Sequence, residues 1–379
     1  MRARSFVIIL VDALGWELAQ RRPGFLADLP ERRRLDTVLG FSSAALPSLF
    51  TGVLPSRHGQ WLMYRRAGRD GVFASLKALR WAPRRVRESY KVGRALHRLL
   101  EWSGIDAYFQ LYQVPRGLLP AFDLAQRHDI FRPRALEPDS LWDTLERRGV
   151  PVCVWQWRTP EERSLAAVVE RARASDGSVL FCYTAELDAA LHREGSSGPG
   201  VARHHDRYEH AVHALRSENG AHWIYLLSDH GMVDVQGTVD VMGALARLPS
   251  RWPRDYLAFF DSTFARFWWP DRAARDTVVP ALDQLGHGHW MDDAELTRHG
   301  VLFPRREYGE DIFLLDPGWL MVPSFMGSHA LKGMHGYHPG HPQMSAALFS
   351  NRPLPADLGH VCQVRAFLEA ELAAFREAA

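Results

Sequence analysis

The chain has 379 residues, enough for one large α/β domain with insertions. It is 46% hydrophobic and 24% charged, which excludes a largely disordered chain, and its net charge of +2 gives no general attraction for nucleic acid. The three cysteines are widely spaced and form no C-x-x-C motif, so they suggest neither a disulfide framework nor a cysteine-based zinc site. The 18 histidines are the unusual count, because histidine is the commonest transition-metal ligand.

Short apolar runs recur along the chain and predict buried strands. The first, residues 6–11, is too short for a signal-peptide core or a transmembrane helix, so we expect a cytoplasmic protein without a membrane span. Amphipathic helical patterns lie between several runs, and this alternation predicts an α/β fold whose mainly parallel central sheet is flanked by helices on both faces. The other predicted strands are 152–155, 179–183, 223–227, 312–315 and 345–349, and the predicted helices are 140–148, 206–218 and 364–378.

Two stretches interrupt the alternation of strands and helices. Residues 60–135 are basic and aromatic, with a local net charge of +8 over residues 60–117, and residues 251–308 show little periodicity. Each would have a thin core alone. We therefore predict a single catalytic domain over residues 1–379, with 60–135 as a basic and aromatic insertion or cap and 251–308 as a smaller insertion. The basic stretch is either a solvated helical face or a cap that attracts an anionic substrate.

Carboxylates and histidines follow several predicted strands, where functional side chains of open α/β sheets collect. Each has a simpler interpretation when taken alone, as a helix N-cap, a turn residue or an i, i+4 surface pair. Together they supply three carboxylates and three imidazoles, the ligand types that two zinc-like ions need. The residues alone therefore predict a two-metal hydrolase, with these candidate ligands: Asp12, Asp188, His192, Asp229, His230 and His335.

The segment F-S-S-A-A-L-P-S-L-F-T-G-V-L-P-S-R-H-G, residues 41–59, resembles the nucleophile segment of the alkaline phosphatase superfamily. In the type I phosphodiesterase/nucleotide pyrophosphatase branch, the nucleophile stands nine residues before a Thr-Gly pair, which here gives Ser42. Ser43 is one place out of register and remains the alternative, because Ser-Ala-Ala is also similar to the alkaline phosphatases themselves. A helix from about Ala44 would place both serines at its N-terminus, as caps or beside a bound phosphate.

The other motifs follow in the family's chain order. I-L-V-D-A, Y-T-A-E-L-D-A-A-L-H, S-D-H-G-M and M-H-G-Y-H resemble its metal-binding motifs, although Leu187 and Leu191 replace the usual Pro and Gly. The resemblance implies an alkaline-phosphatase-like fold and covers residues 6–59, 179–235 and 309–349. It also implies how the ligands divide between two ions: Asp12, Asp229 and His230 beside Ser42, and Asp188, His192 and His335 at the other.

The resemblance implies hydrolysis of a small anionic phosphate ester through a phosphoserine intermediate on Ser42, and the resemblance to this branch implies a diester. A serine hydroxyl is a poor nucleophile at neutral pH, and a neighbouring zinc ion lowers the pKa of a bound oxygen. Histidine and carboxylate ligands favour Zn²⁺, with Mn²⁺ or iron as substitutes. An Asn helps to bind phosphate in nucleotide pyrophosphatases, but residues 41–64 contain none, which leaves Ser43, Gln60 and Tyr64 as substrate-binding candidates.

The missing Asn keeps other activities of the same superfamily open, namely those of a phosphomonoesterase, a phosphonate hydrolase or a phosphotransferase. A third interpretation is a non-catalytic module that binds anions through residues 60–117. The basic and aromatic stretch also allows peripheral contact with a membrane, whereas specific nucleic-acid binding is not predicted, and the sequence favours no particular oligomeric state.

Among the remaining histidines, His58 is expected to close its turn, and His204, His205, His210 and His213 are expected to face solvent in part.

Overall fold

The structure, a computed structural model, describes residues 5–174, 177–217 and 222–378. The chain divides into two compact units. Unit 1 comprises Met1–His58, Phe131–Val235 and Leu331–Ala379, and unit 2 comprises Gly59–Ile130 and Gln236–Ala330. The stretches predicted as insertions fall almost wholly within unit 2, and their role as insertions in a single domain stays a prediction.

The strands of the described residues are, in chain order, β1 (Ser5–Val11), β2 (Glu31–Leu35), β3 (Tyr64–Arg66), β4 (Phe122–Leu124), β5 (Val152–Trp155), β6 (Val179–Thr184), β7 (His222–Leu227), β8 (Val233–Asp234), β9 (Gly237–Val239), β10 (Leu257–Phe260), β11 (Phe264–Trp268), β12 (Gly288–Trp290), β13 (Asp311–Leu315), β14 (Trp319–Met321), β15 (Gly333–Met334) and β16 (Ala346–Ser350). The α-helices are α1 (Trp16–Gln20), α2 (Ser42–Thr51), α3 (Pro55–His58), α4 (Arg84–Arg87), α5 (Tyr90–Trp102), α6 (Leu141–Arg147), α7 (Glu161–Ala174), α8 (Glu186–Glu194), α9 (Pro199–Ser217), α10 (Val241–Ala246), α11 (Arg272–Asp283), α12 (Asp293–Arg298) and α13 (Val364–Ala378). Short 3₁₀ segments lie at Ala74–Trp81, Leu119–Ala121, Pro342–Met344 and Val361–Gln363.

The central sheet of unit 1 has the strand order β2-β16-β7-β1-β6-β5. The pairs β7-β1, β1-β6 and β6-β5 are parallel, whereas β16 runs antiparallel to both of its neighbours. The sheet is therefore mixed, with one reversed strand in an otherwise parallel arrangement. This confirms the predicted α/β class and the mainly parallel character of the sheet.

Helices cover both faces of this sheet because successive side chains of a strand point to opposite sides. On one face, Val7 and Ile9 of β1 belong to the same core as Val168 of α7 and Tyr208 of α9. On the other face, the Phe6 ring lies 5.6 Å from that of Phe375 in α13. All residues of β1 are buried, which explains why the strand reads as a continuous apolar run.

Strand register brings several strand ends to one edge of the sheet. Val11 at the end of β1 pairs with Thr184 at the end of β6, and Leu10 pairs with Leu227 at the end of β7. The chain segments that follow β1, β6 and β7 therefore start side by side. These segments carry five of the six candidate metal ligands.

The reversed strand β16 and its neighbour β2 complete the same edge. Ala346, at the start of β16, pairs with Leu35 at the end of β2. Residues that precede β16 and residues that follow β2 thus reach the edge where β1, β6 and β7 end. Ser42 follows β2, and His335 precedes β16, so the topology places both at the site.

The sheet of unit 2 is separate and has the order β10-β11-β13-β12, with every pair antiparallel. The predicted strand at 312–315 forms, as β13, but in this sheet, so its placement among the strands of the central sheet was wrong. An apolar run shows that a strand is buried but not which sheet it joins. Residues 251–308, which show little periodicity, contain three strands of this sheet, β10, β11 and β12, and part of its helical cover.

Helix α9 corrects the expectation for two histidines. His204 and His205 are buried, because the same helix face carries Tyr208 and Val212 into the core of unit 1. His210 and His213 are exposed, as expected. Residue 218, the last of the predicted helix, lies outside the described residues. No described helix is long and apolar enough to cross a membrane, and the cysteines Cys153, Cys182 and Cys362 are free.

Candidate active site

Helix α2 presents its first residue, Ser42, at the edge of the central sheet. The N-cap is Phe41, in extended conformation and with no side-chain hydrogen bond to the first turn. The two serines therefore do not cap the helix, contrary to the simpler interpretation of the sequence. The helix ends at Gly52, whose φ of 75° is left-handed, and Thr51 donates its hydroxyl to the Pro47 carbonyl at 2.6 Å.

The Ser42 hydroxyl lies against two candidate metal ligands. Its Oγ is 2.9 Å from Nε2 of His230 and 3.4 Å from each carboxylate oxygen of Asp12. A helix N-terminus favours a bound phosphate, because backbone N–H groups and the helix dipole point toward it. The half-buried Ser42 hydroxyl thus stands where an anionic ligand and a cation can meet.

The first ligand group, Asp12, Asp229 and His230, is fully buried and lies where β1 and β7 end. Asp229 accepts through Oδ1 from the backbone N–H groups of His230 at 3.0 Å and Ala13 at 3.3 Å. Nδ1 of His230 donates to the Gly231 carbonyl at 2.9 Å, which leaves the lone pair on Nε2 facing Ser42 and the two carboxylates. One ligand atom from each residue lies within 4.8 Å of the others.

The second ligand group consists of Asp188, His192 and His335, and one ligand atom from each of them also lies within 4.8 Å of the others. Asp188 and His192 lie one turn apart on α8, and Nε2 of both His192 and His335 is 3.4 Å from Oδ1 of Asp188. Nδ1 of His192 donates to the Gly333 carbonyl at 2.8 Å. This hydrogen bond orients the ring so that Nε2 faces the Asp188 carboxylate. The i, i+4 pair predicted as a surface alternative is therefore turned toward His335.

These two groups fit divalent cations. Asp188 Oδ1, Asp229 Oδ2 and His335 Nδ1 are buried and make no hydrogen bond within the described part of the chain. Three carboxylates buried together are costly unless a cation compensates them. Both groups combine carboxylate oxygen with imidazole nitrogen, a donor set that suits zinc and similar ions.

The titration behaviour of the carboxylates reflects the same crowding. Burial, followed by repulsion from Asp229 and Asp188, raises the pKa of Asp12 well above its usual range. Burial also raises the pKa of Asp229. Burial alone would raise the pKa of Asp188, but the facing His192 and His335 imidazoles lower it below the usual value. The first group is therefore short of positive charge, whereas the second is partly compensated by its histidines.

The two groups adjoin through their histidines. The rings of His230 and His335 stack with centroids 4.1 Å apart and an interplanar angle of 19°. Phe41 packs edge-on against His335 at 5.4 Å, and Gly336 allows this contact because a Cβ there would lie 2.3 Å from the Phe41 ring. Phe41, the residue before Ser42, therefore restricts the orientation of the His335 ring.

Tyr183 is a site residue that the sequence analysis missed. Its buried hydroxyl donates to Oδ2 of Asp12 at 2.5 Å. Burial and the neighbouring Asp12 and Asp229 carboxylates raise the pKa of Tyr183 well above 10, so it remains a donor. The sequence signal was its position one residue before the end of the strand that leads into Y-T-A-E-L-D, but a tertiary hydrogen bond cannot be read from it.

The candidate substrate-binding residues are in different surroundings. Ser43 is half-buried on the first turn of α2, and Gln60 is half-buried in unit 2. Tyr64 is fully buried in the core of unit 2, where its hydroxyl donates to the Gln110 carbonyl at 2.7 Å. A substrate-binding role for these three residues stays a prediction. The burial of the Tyr64 side chain disfavours such a role for that residue.

His58 lies at the end of α3 and is buried. Its Nε2 is 2.9 Å from the hydroxyl of Ser48 in α2. This contact joins the short helix to α2, as expected for a structural residue that closes its turn.

Comparisons with known proteins identify the family and the fold of the chain. The chain matches the type I phosphodiesterase/nucleotide pyrophosphatase family over residues 6–338. Murine ectonucleotide pyrophosphatase/phosphodiesterase 5 has a similar structure, with a TM-score of 0.65 and 14% identity over 97% of this chain and 95% of that one. The human counterpart has a TM-score of 0.65 and 14% identity, over 97% of this chain and 94% of that one. An inactive threonine-to-alanine variant of the murine protein, in complex with AMP, has a TM-score of 0.64 and 14% identity, over 98% of this chain and 95% of that one.

The structural likeness supports an alkaline-phosphatase-like fold. A comparison with curated protein sequences gave no match. The family match spans most of the chain, and family members are metal-dependent phosphoric ester hydrolases. The chain therefore belongs to the type I phosphodiesterase/nucleotide pyrophosphatase family of the alkaline phosphatase superfamily.

Proposed function

We propose that this protein hydrolyses a phosphodiester with Ser42 as the nucleophile, beside two divalent cations held by the six candidate ligands. The observation that carries the proposal is the position of Ser42 Oγ, at the start of α2 and 2.9 Å from Nε2 of His230. A half-buried hydroxyl beside a carboxylate and an imidazole has no evident structural purpose on a helix that it does not cap.

The residues of the chain define the course of the reaction. The N-terminus of α2 binds the phosphate oxygens and orients phosphorus toward Ser42 Oγ. The serine hydroxyl gives up its proton, which is balanced by protonation of the leaving oxygen from solvent, and Oγ bonds to phosphorus as the bond to the leaving oxygen breaks, which forms a serine phosphate still esterified to the retained alcohol. Water then hydrolyses the bond between phosphorus and Ser42, which releases the phosphomonoester and restores the hydroxyl. Bound cations would lower the pKa of the attacking oxygen and offset charge on the phosphate.

Zn²⁺ is the proposed ion in both groups. Two of the three ligands in the Asp188 group are imidazoles, and hard ions such as Mg²⁺ prefer sites built of oxygen atoms. Metal analysis of protein purified without added metal should find about two equivalents of divalent ion per chain. Restoration of activity to chelated protein by Zn²⁺, Mn²⁺, Fe²⁺ or Mg²⁺ then ranks the ions.

The proposed substrate is a small nucleotide-like phosphodiester. The murine relative forms a complex with AMP, a product expected when a nucleotide diester or pyrophosphate is cleaved. That complex supports, for this chain, a site that accepts a nucleoside monophosphate. The cytoplasmic location expected from the sequence remains part of the proposal.

A second candidate function is phosphomonoester hydrolysis by the same centre. It is favoured by the absence of Asn from residues 41–64. Relative turnover of bis-p-nitrophenyl phosphate and p-nitrophenyl phosphate separates the two. Faster cleavage of the diester supports the proposal, whereas faster cleavage of the monoester supports the alternative.

Replacement of the two adjacent serines tests the nucleophile. We expect Ser42→Ala to reduce turnover of the diester by several orders of magnitude while metal content is unchanged, and Ser43→Ala to retain most of it. Full activity in Ser42→Ala would overturn the mechanism. Metal binding without turnover of any ester would instead support a non-catalytic anion-binding protein.

A further inference from the structure

Helix α5 of unit 2 has two faces of different character. Leu96 and Leu100 are buried and belong to the core of unit 2. The opposite face is exposed and carries large aromatic side chains, since Trp102 is 85% and Tyr90 77% exposed. The aromatic residues of the basic stretch therefore do not all enter a core, although Trp61, Tyr64, Phe73 and Phe109 do.

The exposed face follows a regular row. Tyr90, Arg94, Arg98 and Trp102 are spaced four residues apart, so their side chains lie along one side of the helix, with an aromatic ring at each end and two cations between. The Arg94 guanidinium lies 5.8 Å from the Tyr90 ring centre. Leu99, three residues before Trp102, adds a half-exposed aliphatic side chain beside it.

The cations of this row are not used within the described part of the chain. Arg94 and Arg98, with the neighbouring Lys91, are exposed and make no ion pair or hydrogen bond there. The nearby acids are engaged elsewhere: Glu88 lies 3.1 Å from Arg87 and 3.4 Å from Arg116, and Glu101 lies 3.6 Å from His97. The row therefore offers uncompensated positive charge together with exposed apolar surface.

The helix is also held firmly enough to act as a surface. Ser89 caps it by accepting from the Val92 N–H, and the His97 ring stacks on buried Phe109 at 4.3 Å. The Arg116 backbone N–H donates to the Glu88 carboxylate at 3.2 Å, which ties the start of the helix to a later segment of unit 2. The outward row is thus displayed on a packed helix.

We propose that this row is a docking surface for an anionic lipid bilayer, which the helix meets lengthwise. Amphipathic helices bind in this way when Lys and Arg face lipid phosphates and Trp and Tyr enter the headgroup region. Thirteen residues give about 20 Å of helix along the membrane. Leu99 distinguishes this partner from a nucleic acid, because an aliphatic side chain gains from acyl chains but not from phosphates. A second copy of the chain would oppose like charges across the contact.

Vesicle flotation with the full-length protein tests the proposal. We expect binding to vesicles of phosphatidylcholine with phosphatidylserine, little binding to phosphatidylcholine alone, and weakening by salt. Arg94→Gln with Arg98→Gln should lower the partition coefficient on the order of 10-fold or more. Arg163→Gln with Arg203→Gln removes two exposed cations from unit 1 and should have little effect, as a matched control.

The aromatic contribution is tested separately with lipids brominated on their acyl chains. Trp102→Ser should reduce both vesicle binding and the quenching of tryptophan fluorescence, whereas Trp157→Ser, at a residue 39% exposed in unit 1, should leave both unchanged. Unfolding temperature and phosphoesterase turnover in solution should match those of the wild type in every variant.

Absence of binding to anionic vesicles, or binding that these substitutions leave unchanged, would overturn the proposal. So would a concentration-dependent dimer that Trp102→Ser abolishes in the absence of lipid. Binding to a soluble polyanion without binding to vesicles would equally contradict it, and would identify the surface as a general anion site.

Discussion

The Tyr183 hydroxyl donates to Oδ2 of Asp12 at 2.5 Å, and the same carboxylate lies 3.4 Å from Ser42 Oγ. A hydrogen bond of this kind fixes the orientation of a carboxylate, and its loss commonly weakens metal affinity about 10–100-fold. We therefore predict that Tyr183→Phe lowers the affinity of the Asp12 group for its ion by this factor. Competition with a chelator measures the effect without relying on turnover.

Tyr225→Phe is the matched control for this prediction. The Tyr225 hydroxyl, on β7 of the same sheet, also donates to a carboxylate, Oε2 of Glu371 at 2.5 Å, but this carboxylate is not a candidate ligand. Equal loss of metal affinity in both variants would mean that Tyr183 acts only through general stability.

Glu161 is a second buried carboxylate that should be structural. It accepts from His204 Nδ1 at 2.6 Å, the Tyr208 hydroxyl at 2.6 Å and the Thr184 hydroxyl at 2.7 Å. Burial alone would raise the pKa of Glu161, but these hydrogen bonds lower it below the usual value, so the group stays ionised at neutral pH. We predict that Glu161→Gln lowers the free energy of unfolding by about 1–3 kcal/mol in urea denaturation.

The adjacent Glu162 provides the control for Glu161. Its side chain is 80% exposed and lies 3.8 Å from Arg207, so Glu162→Gln should change the free energy of unfolding by less than about 0.5 kcal/mol. A similar loss in the two variants would contradict the structural role assigned to the buried network.

His58 should make stability depend on pH. Burial lowers the pKa of His58 to about 3, from about 6.5 in the unfolded chain. Below pH 6.5 the unfolded state binds a proton that the folded state does not, so this stabilisation is present above pH 6.5 and is lost as pH falls toward 3. The loss between pH 6.5 and 5 should be roughly 2 kcal/mol.

Urea denaturation of wild-type protein and His58→Gln at several pH values measures this contribution. The variant should be less stable at pH 7, because the contact with Ser48 is changed, but its stability should fall less steeply below pH 6.5. Parallel slopes for wild type and His58→Gln would show that the histidine is not buried in its neutral form.

Gly231, which follows His230, is required for close packing beneath the site. A Cβ at this position would lie 2.0 Å from the backbone oxygen of Gln343, so Gly231→Ala should destabilise the protein by about 1–3 kcal/mol or more. Gly359→Ala, where a Cβ meets nothing within 4 Å, should stay within about 0.5 kcal/mol of the wild type. Equal unfolding temperatures for the two variants would contradict this explanation of the Asp-His-Gly sequence.

The sequence predicted most of unit 1 because four of its strands, β1, β6, β7 and β16, are almost wholly buried and are therefore continuous apolar runs. It missed β2, Glu31–Leu35, because that strand lies at the sheet edge and carries Glu and three Arg in succession. Yet β2 is the strand that leads to Ser42, so the nucleophile was predicted from spacing alone and not from its place in the sheet. The sheet of unit 2 was not predicted, because its strands are separated by turns and helices without a clear period.

At the site, the identities of the six candidate ligands could be read from strand ends and motif spacing. Their grouping came only from the resemblance, and the structure brings together the same two sets of three. The role of Tyr183 and the edge-on packing of Phe41 against His335 could not be predicted, because both depend on contacts between segments far apart in the chain. The burial of His204 and His205 was missed because their helix is rich in polar residues, and its inward face is defined by Tyr208 and Val212.

The central claim is that Ser42 carries the phosphoryl group during turnover. Acid quenching of the enzyme during hydrolysis of bis-p-nitrophenyl phosphate, followed by peptide mass spectrometry, tests it directly. We predict a p-nitrophenylphosphoryl group on Ser42 in wild-type protein, because one ester of the substrate stays on phosphorus, none at this position in Ser42→Ala, and unchanged trapping in Ser43→Ala. The same group on Ser43, or steady turnover by Ser42→Ala without any serine-linked phosphoryl ester, would contradict the mechanism.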